Sequence, residues 1–181
     1  FKTDKYANEL SADERKLTDI RIYEVLHKHD NKAIGFDVSE YQSEIDWEQT
    51  YHIDESFELS FVFIRATAGK NKVDSRFKEN WKASKERELI RGAYHYYRPN
   101  ENSIEQAENF IKNVKLEKGD LPPVLDIEKL PKSQSIDSLK VGLRRWLKKV
   151  EKHYKVKPII YSGESYYTDF LKEEFSDYPL W

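Results

Sequence analysis

Leu121-Pro122-Pro123-Val124-Leu125-Asp126-Ile127-Glu128 decides how this chain reads. Two prolines open it, an apolar pair follows, and it closes on two acids separated by one residue. It reads as a short buried strand. Side chains alternate faces along a strand, so Asp126 and Glu128 point to one side, their Cα atoms roughly 7 Å apart, and Ile127 points to the other. An apolar strand that projects two acids to one side is costly unless the acids meet a polar cleft. Neighbouring carboxylates in such a cleft push their pKa values apart, which suits one to donate a proton while the other stays ionised. Glycoside hydrolysis uses such a pair. The plainer reading is that the acids cap the next helix or pair with nearby lysines, and the pair alone leaves both readings open.

Working outward, the same kind of strand recurs. Leu59-Ser60-Phe61-Val62-Phe63-Ile64-Arg65-Ala66-Thr67 is nearly continuous in apolar residues, as a strand buried on both faces should be. Leu89 to Tyr97 is another, ended by Arg98-Pro99-Asn100, and Lys157 to Gly163 is a fifth. Ala33-Ile34-Gly35-Phe36-Asp37-Val38-Ser39 is the first, with Asp37 near its C-terminal end. Catalytic groups in α/β barrels occupy that position; a turn cap aided by Ser39 is the alternative. Tyr178-Pro179-Leu180-Trp181 reads as the opening of a sixth strand. Between the strands lie helical patterns: Phe77 and Trp81; then Ile104, Ala107, Phe110, Ile111 and Val114 behind a Ser103/Gln106 capping box; then Leu139, Leu143, Trp146 and Val150 over about 136–154. The basic run on that last helix (Lys140, Arg144, Lys148, Lys152) reads as a solvated face. Trp47, in the loop after the first strand, either stacks on a ligand or staples that loop to the core.

Strands and helices thus alternate about every 30 residues, the pattern of a parallel α/β fold. A doubly wound sheet fits the alternation, but acids at the ends of strands one and four favour a barrel with a common mouth. Residues 1–33 differ. Ser11 and Glu14 form a capping box, and Leu17, Ile20, Tyr23 and Leu26 recur at helical spacing, which predicts an amphipathic helical extension outside the catalytic unit at 34–181.

Composition removes several classes of function. There are 31 Lys and Arg against 33 Asp and Glu, a net charge of −2, so charge gives no support to a nucleic-acid partner. No GxGxxG or GxxxxGK[ST] motif supports nucleotide binding. With no cysteine there is neither a disulfide framework nor a thiolate metal site. His27 and His29, two apart on a helix, do not share a face. No metal or other cofactor is expected, and no apolar run is long enough to span a membrane. Twelve Tyr and four Trp suit a cleft that stacks on sugars, although aromatic residues also fill cores. The chain starts at Phe1 without a visible signal peptide and is expected to be a processed or engineered fragment.

Five stretches in this order and spacing resemble the glycoside hydrolase family 25 lysozymes, the Chalaropsis-type muramidases: Gly35–Ser39, Phe61–Thr67, Gly92–Pro99, Pro123–Glu128 and Ile159–Ser162. The resemblance runs from Ile34 to Trp181. It implies an irregular TIM-like (β/α)5(β)3 barrel, here lacking its last strands, and cleavage of the β-1,4 bond between N-acetylmuramic acid and N-acetylglucosamine. It implies Glu128 as general acid, with Asp126 and Asp37 as supporting carboxylates, and a sugar site lined by Tyr161, Tyr96, His95 and Arg65. The family often carries Glu where this chain has Ala68. The implied partner is the peptidoglycan glycan strand, at a secreted or cell-envelope location. The alternative is a catalytically impaired glycan-binding module on the same barrel, since a fold does not fix a function; a scaffold role would rest on the N-terminal helix alone.

Overall fold

The computed structural model describes residues 12–48, 52–53 and 57–181. Helix α1 (Ala12–Lys28) precedes the α/β unit, as its periodicity predicts, while Ser11 of the expected capping box lies outside the described residues. Leu26 is buried, and Tyr23 and His27 meet the ring of Phe57 at centroid distances of 6.4 and 5.1 Å. Leu17 and Ile20 stay exposed, so only the C-terminal half of the apolar stripe is covered.

Five strands lie side by side, parallel and in chain order: β1 (Ile34–Val38), β3 (Phe57–Ala68), β5 (Ile90–Tyr96), β6 (Val124–Asp126) and β7 (Ile159–Tyr161). Two-residue strands β2 (His52–Ile53) and β4 (Lys72–Val73) pair antiparallel with β3. A doubly wound fold reverses its strand order partway. This sheet does not, and it curls into a half-barrel. Leu180 bridges in parallel to Ile160, with Trp181 N–H donating to the Ile160 carbonyl at 2.9 Å, so a further strand does open beside β7.

Helices α2 (Phe77–Glu86), α3 (Ser103–Asn113) and α4 (Ile136–Tyr154) follow β4, β5 and β6. After β7 come a turn of helix α5 (Glu164–Tyr166), a π turn (Tyr167–Leu171) and α6 (Lys172–Phe175). On α4 the stripe Leu139, Leu143, Trp146, Leu147 and Val150 is wholly buried, and Ser135 caps the helix by accepting from Ser138 N–H at 3.1 Å. Each such apolar side chain contributes about 1.5–3 kcal/mol. The basic face of α4 is in part engaged, since Lys140 pairs with Glu174 at 2.8 Å and Lys149 with Glu108 at 2.8 Å. On α3 the expected capping box does not form. Asn102 is the N-cap instead, accepting from Ile104 and Glu105 N–H through its short amide. The Gln106 side chain is drawn inward to His95 and to Arg98 N–H.

The sheet separates two apolar cores. The outer one, between strands and helices, holds Val62, Ile64, Ala93, Leu125, Phe110 and Trp146; Trp47 belongs to it and packs on Phe36, so it staples its loop rather than facing a ligand. The inner one is aromatic: Phe63, Tyr94 and Val124, flanked by Phe61, Leu121, Ile159 and Tyr161. Gly92 faces Phe63 in register across β3 and β5, and a Cβ there would stand 2.3 Å from the Phe63 ring. The bare glycine lets that ring lie flat, and Phe63 in turn stacks on Trp181 with centroids 4.6 Å apart.

His95 sits on the outer face, fully buried. Its Nδ1 lies 2.7 Å from Thr67 Oγ1, its Nε2 lies 3.1 Å from Gln106 Oε1, and its ring stacks on Trp146. Burial drives its pKa down to about 4, against a smaller upward pull from Gln106.

Two predictions follow from this packing. Gly92→Ala should destabilise the fold by about 1–3 kcal/mol in urea denaturation and alter tryptophan fluorescence, because the Phe63 ring must move. Below pH 6.5 the unfolded chain binds a proton at His95 that the folded chain refuses. Stability should therefore fall as pH drops from about 6.5 to 4, by an amount on the order of 3 kcal/mol, and His95→Gln should flatten that dependence.

Candidate active site

Residues in register on parallel neighbours project to the same side, so the strand alignments identify the inner-face side chains. Arg65, Tyr94, Val124 and Ile159 form one row across β3, β5, β6 and β7, and Tyr96, Asp126 and Tyr161 form the row above it at the C-terminal ends. Asp37, at the end of β1, is aligned with inner-face Phe63. Curling of the sheet brings the two carboxylates to one small recess lined by Asp37, Tyr94, Asp126, Tyr161 and Trp181. Asp126 is 2% exposed and Asp37 9%.

Glu128 lies two residues beyond Asp126, past the end of β6, and is half-buried. Its segment is clamped from both sides. Tyr97 N–H donates to the Asp126 carbonyl at 2.8 Å, and Ile127 N–H donates to the Tyr161 carbonyl at 3.0 Å. The Ser162 hydroxyl donates to the Ile127 carbonyl at 2.8 Å, and the Tyr166 hydroxyl to the Lys129 carbonyl at 3.0 Å. With Ile127 fully buried on the outer face, the backbone that carries both acids has little freedom. Catalytic geometry depends on such support.

Tyr94 is the inner-face residue that the sequence reading passed over. Burial pushes its hydroxyl pKa well above the usual tyrosine range, and the nearby charge of Asp37 and the weaker one of Asp126 push the same way, against Arg65 and a side-chain hydrogen bond with Ser39. At any physiological pH this is a neutral hydroxyl in a recess it shares with two acids. Strand alternation could have found it. His95 and Tyr96 are adjacent on one strand and cannot both face the cleft, whereas Tyr94 shares the face of Tyr96. The expectation that His95 lines the sugar site is therefore corrected: its side chain faces the helices. Trp181 is a second missed lining residue, its ring set edge-on to Tyr161 at 4.9 Å.

Arg65 is also placed differently from expectation. Its Nε donates to Asp74 at 2.8 Å and an Nη to Glu40 at 3.0 Å, and its guanidinium lies 4.5 Å from the centre of the Tyr41 ring. Burial of Glu40 would raise its pKa, but hydrogen bonds from Lys72 and Ser75 and the charge of Arg65 outweigh that and hold it at about 2. The guanidinium is thus committed to a permanent ion-pair network at the mouth. Tyr96, half-buried, has Lys129 Nζ 5.7 Å from its ring centre. Among the described residues no group of three His, Cys, Asp or Glu is arranged to hold a metal ion, and no helix is long and apolar enough to cross a membrane.

Comparison with known proteins places this geometry. The family model for glycosyl hydrolases family 25 matches residues 36–181. The Escherichia coli K12 protein YegX, itself described as uncharacterized, is 43% identical over 148 residues, covering 81% of this chain and 54% of YegX. Lysozyme M1 of Streptomyces globisporus is 34% identical over 142 residues, covering 74% of this chain and 47% of that enzyme. The chain thus spans about half the length of these curated relatives. The solved structure of a family 25 glycosyl hydrolase from Bacillus anthracis superposes with a TM-score of 0.75 at 32% identity, covering 83% of this chain and 69% of that one. A muramidase from Trichobolus zukalii gives 0.72 at 26% identity, covering 82% and 75%. A curled parallel sheet with two buried acids at its mouth, matched along the chain at this level, identifies the protein as a member of glycosyl hydrolase family 25.

Proposed function

We propose that this chain is the catalytic part of a peptidoglycan hydrolase, an N-acetylmuramidase that cuts the β-1,4 bond between N-acetylmuramic acid and N-acetylglucosamine. The observation that carries the reading is the recess itself: Asp37 and Asp126, nearly out of water, share it with two tyrosines, and Glu128 follows two residues after Asp126 on a clamped backbone. Relatives named as lysozymes and as an N,O-diacetylmuramidase support the substrate class.

In this reading Glu128 gives its proton to the glycosidic oxygen as the bond breaks. Positive charge then develops at the anomeric carbon, and ionised Asp126 stabilises it from within a poorly solvated site, where charge acts more strongly than in water. Asp37 adds to that field. Tyr94, a neutral hydroxyl that lines the same recess, and Tyr161 orient the carboxylates and the sugar. The substrate's own 2-acetamido group serves as nucleophile, oriented by Asp126; trapping a covalent glycosyl–Asp126 adduct would contradict this step. Tyr96 and Tyr161 contact the sugar. The half-barrel, residues 34–181, is the (β/α)5 portion of a (β/α)5(β)3 barrel, residues 1–33 are an extension outside it, and the protein works in the cell envelope or outside the cell.

Glu128→Gln should lower turnover of purified peptidoglycan by about 10²-fold or more while the protein still sediments with the wall, and Asp126→Asn should be comparably severe. Near-normal rates for Glu128→Gln would show that the acid is elsewhere. Wall binding by the parent protein without turnover at any pH would favour the glycan-binding module.

A further inference from the structure

The mouth of the sheet holds an aromatic side chain that the chemistry above does not use. Tyr41 belongs to the short 3-10 turn Glu40–Gln42 that follows β1, four residues beyond Asp37. At 69% exposure it is the most open of the large apolar side chains described. A lone exposed aromatic needs no explanation. This one is different because of what lies beneath it.

One face of the ring rests on the Arg65 guanidinium, 4.5 Å from the ring centre, and Arg65 itself is 6% exposed. Asp74 and Glu40 fix that guanidinium. Asp74 also accepts from Glu40 N–H at 3.0 Å, and Glu40 pairs with Lys72 and accepts from the Ser75 hydroxyl at 3.0 Å. The turn is closed by its own capping box, in which the Gln42 side-chain oxygen accepts from Ser39 N–H at 2.7 Å. The inner pair of this network, Arg65 and Asp74, is buried, and such a pair is costly to assemble. Here it holds one ring by one face and leaves the other to solvent. Its position is tied to the recess, because Arg65 is in register with Tyr94 and Ser39 bonds to Tyr94.

We propose that Tyr41 is a stacking platform for a pyranose ring of the glycan strand, a subsite at the β1 side of the mouth. The C–H face of a pyranose is apolar and settles on an aromatic face, and a ring held in place beforehand loses little freedom when the sugar arrives. Arg65 is a positioning residue that acts through Tyr41. This inference rests on the reading of the site as a glycan hydrolase.

The test measures two quantities. Binding of the tetrasaccharide (GlcNAc–MurNAc)2 is followed by calorimetry in proteins that also carry Glu128→Gln, so that the ligand is not cut. Steady-state hydrolysis of peptidoglycan is followed in proteins that keep Glu128. Tyr41→Ala and Tyr41→Leu should each weaken binding roughly tenfold and raise KM by a similar factor, with kcat changed less than about twofold. Tyr41→Phe, which keeps the ring and loses the hydroxyl, should stay within about twofold of the parent in both. Leucine keeps bulk over Arg65, so it separates stacking from mere shielding of the ion pairs. Unchanged binding in the Ala and Leu variants, a Leu variant that binds like the parent, or a Phe variant as weak as Ala, would each overturn the platform while leaving the hydrolase intact. A parent protein that neither binds nor cuts the glycan would overturn both.

Discussion

Two carboxylates held almost out of water at the end of a parallel sheet are the constraint from which the rest of this structure follows. Asp126 and Asp37 are 2% and 9% exposed, and groups of that kind are costly to bury. The fold meets the cost by crowding polar atoms around them. Tyr94 and Tyr161 line the recess with them, and bonds from Tyr97, Ser162 and Tyr166 to the main-chain carbonyls of Asp126, Ile127 and Lys129 hold the segment that carries Asp126. A site built this way is rigid before a substrate arrives, which electrostatic catalysis needs.

The sheet can offer such a site because its faces differ in kind. The outer face is largely aliphatic and packs against the helices in the larger of the two apolar cores. The inner face is a column of aromatic rings that turns into acids only at its C-terminal end. The linkage Gly92–Phe63–Trp181–Tyr161 shows how packing reaches the site: a missing side chain on β5 lets one ring lie flat, a second ring stacks on it, and that second ring forms a wall of the recess. The same order holds at the mouth, where the buried Arg65–Asp74 pair and its partners support a single exposed ring.

Much of this was legible in the amino-acid sequence. Strands and long helices follow from period and from the spacing of apolar runs, and α4 falls on the expected span. Asp37, Asp126 and Tyr161 do share one recess. The start of a sixth strand at Leu180 was readable from Tyr178-Pro179-Leu180-Trp181. What failed is instructive. His95 and Tyr96 were assigned to one face, although alternation forbids it, and Tyr94 was overlooked. The Ser103/Gln106 capping box gave way because Asn102 caps through a shorter side chain and Gln106 gains more from His95 and the Arg98 amide. Arg65 looked like a ligand-binding cation because its partners Asp74 and Glu40 lie 9 and 25 residues away, beyond any local pattern. Contacts between distant segments are the information that periodicity does not carry.

The central claim is that this chain cuts peptidoglycan at the muramyl side of the bond, with Glu128 as the acid and the Asp37–Asp126 recess as its site. The direct measurement is the identity of the new reducing ends: fragments released from purified peptidoglycan are reduced with borohydride and analysed by mass spectrometry. The account predicts that the reduced sugar is N-acetylmuramic acid. Reduced N-acetylglucosamine, or release of peptides with no new sugar end, would contradict it.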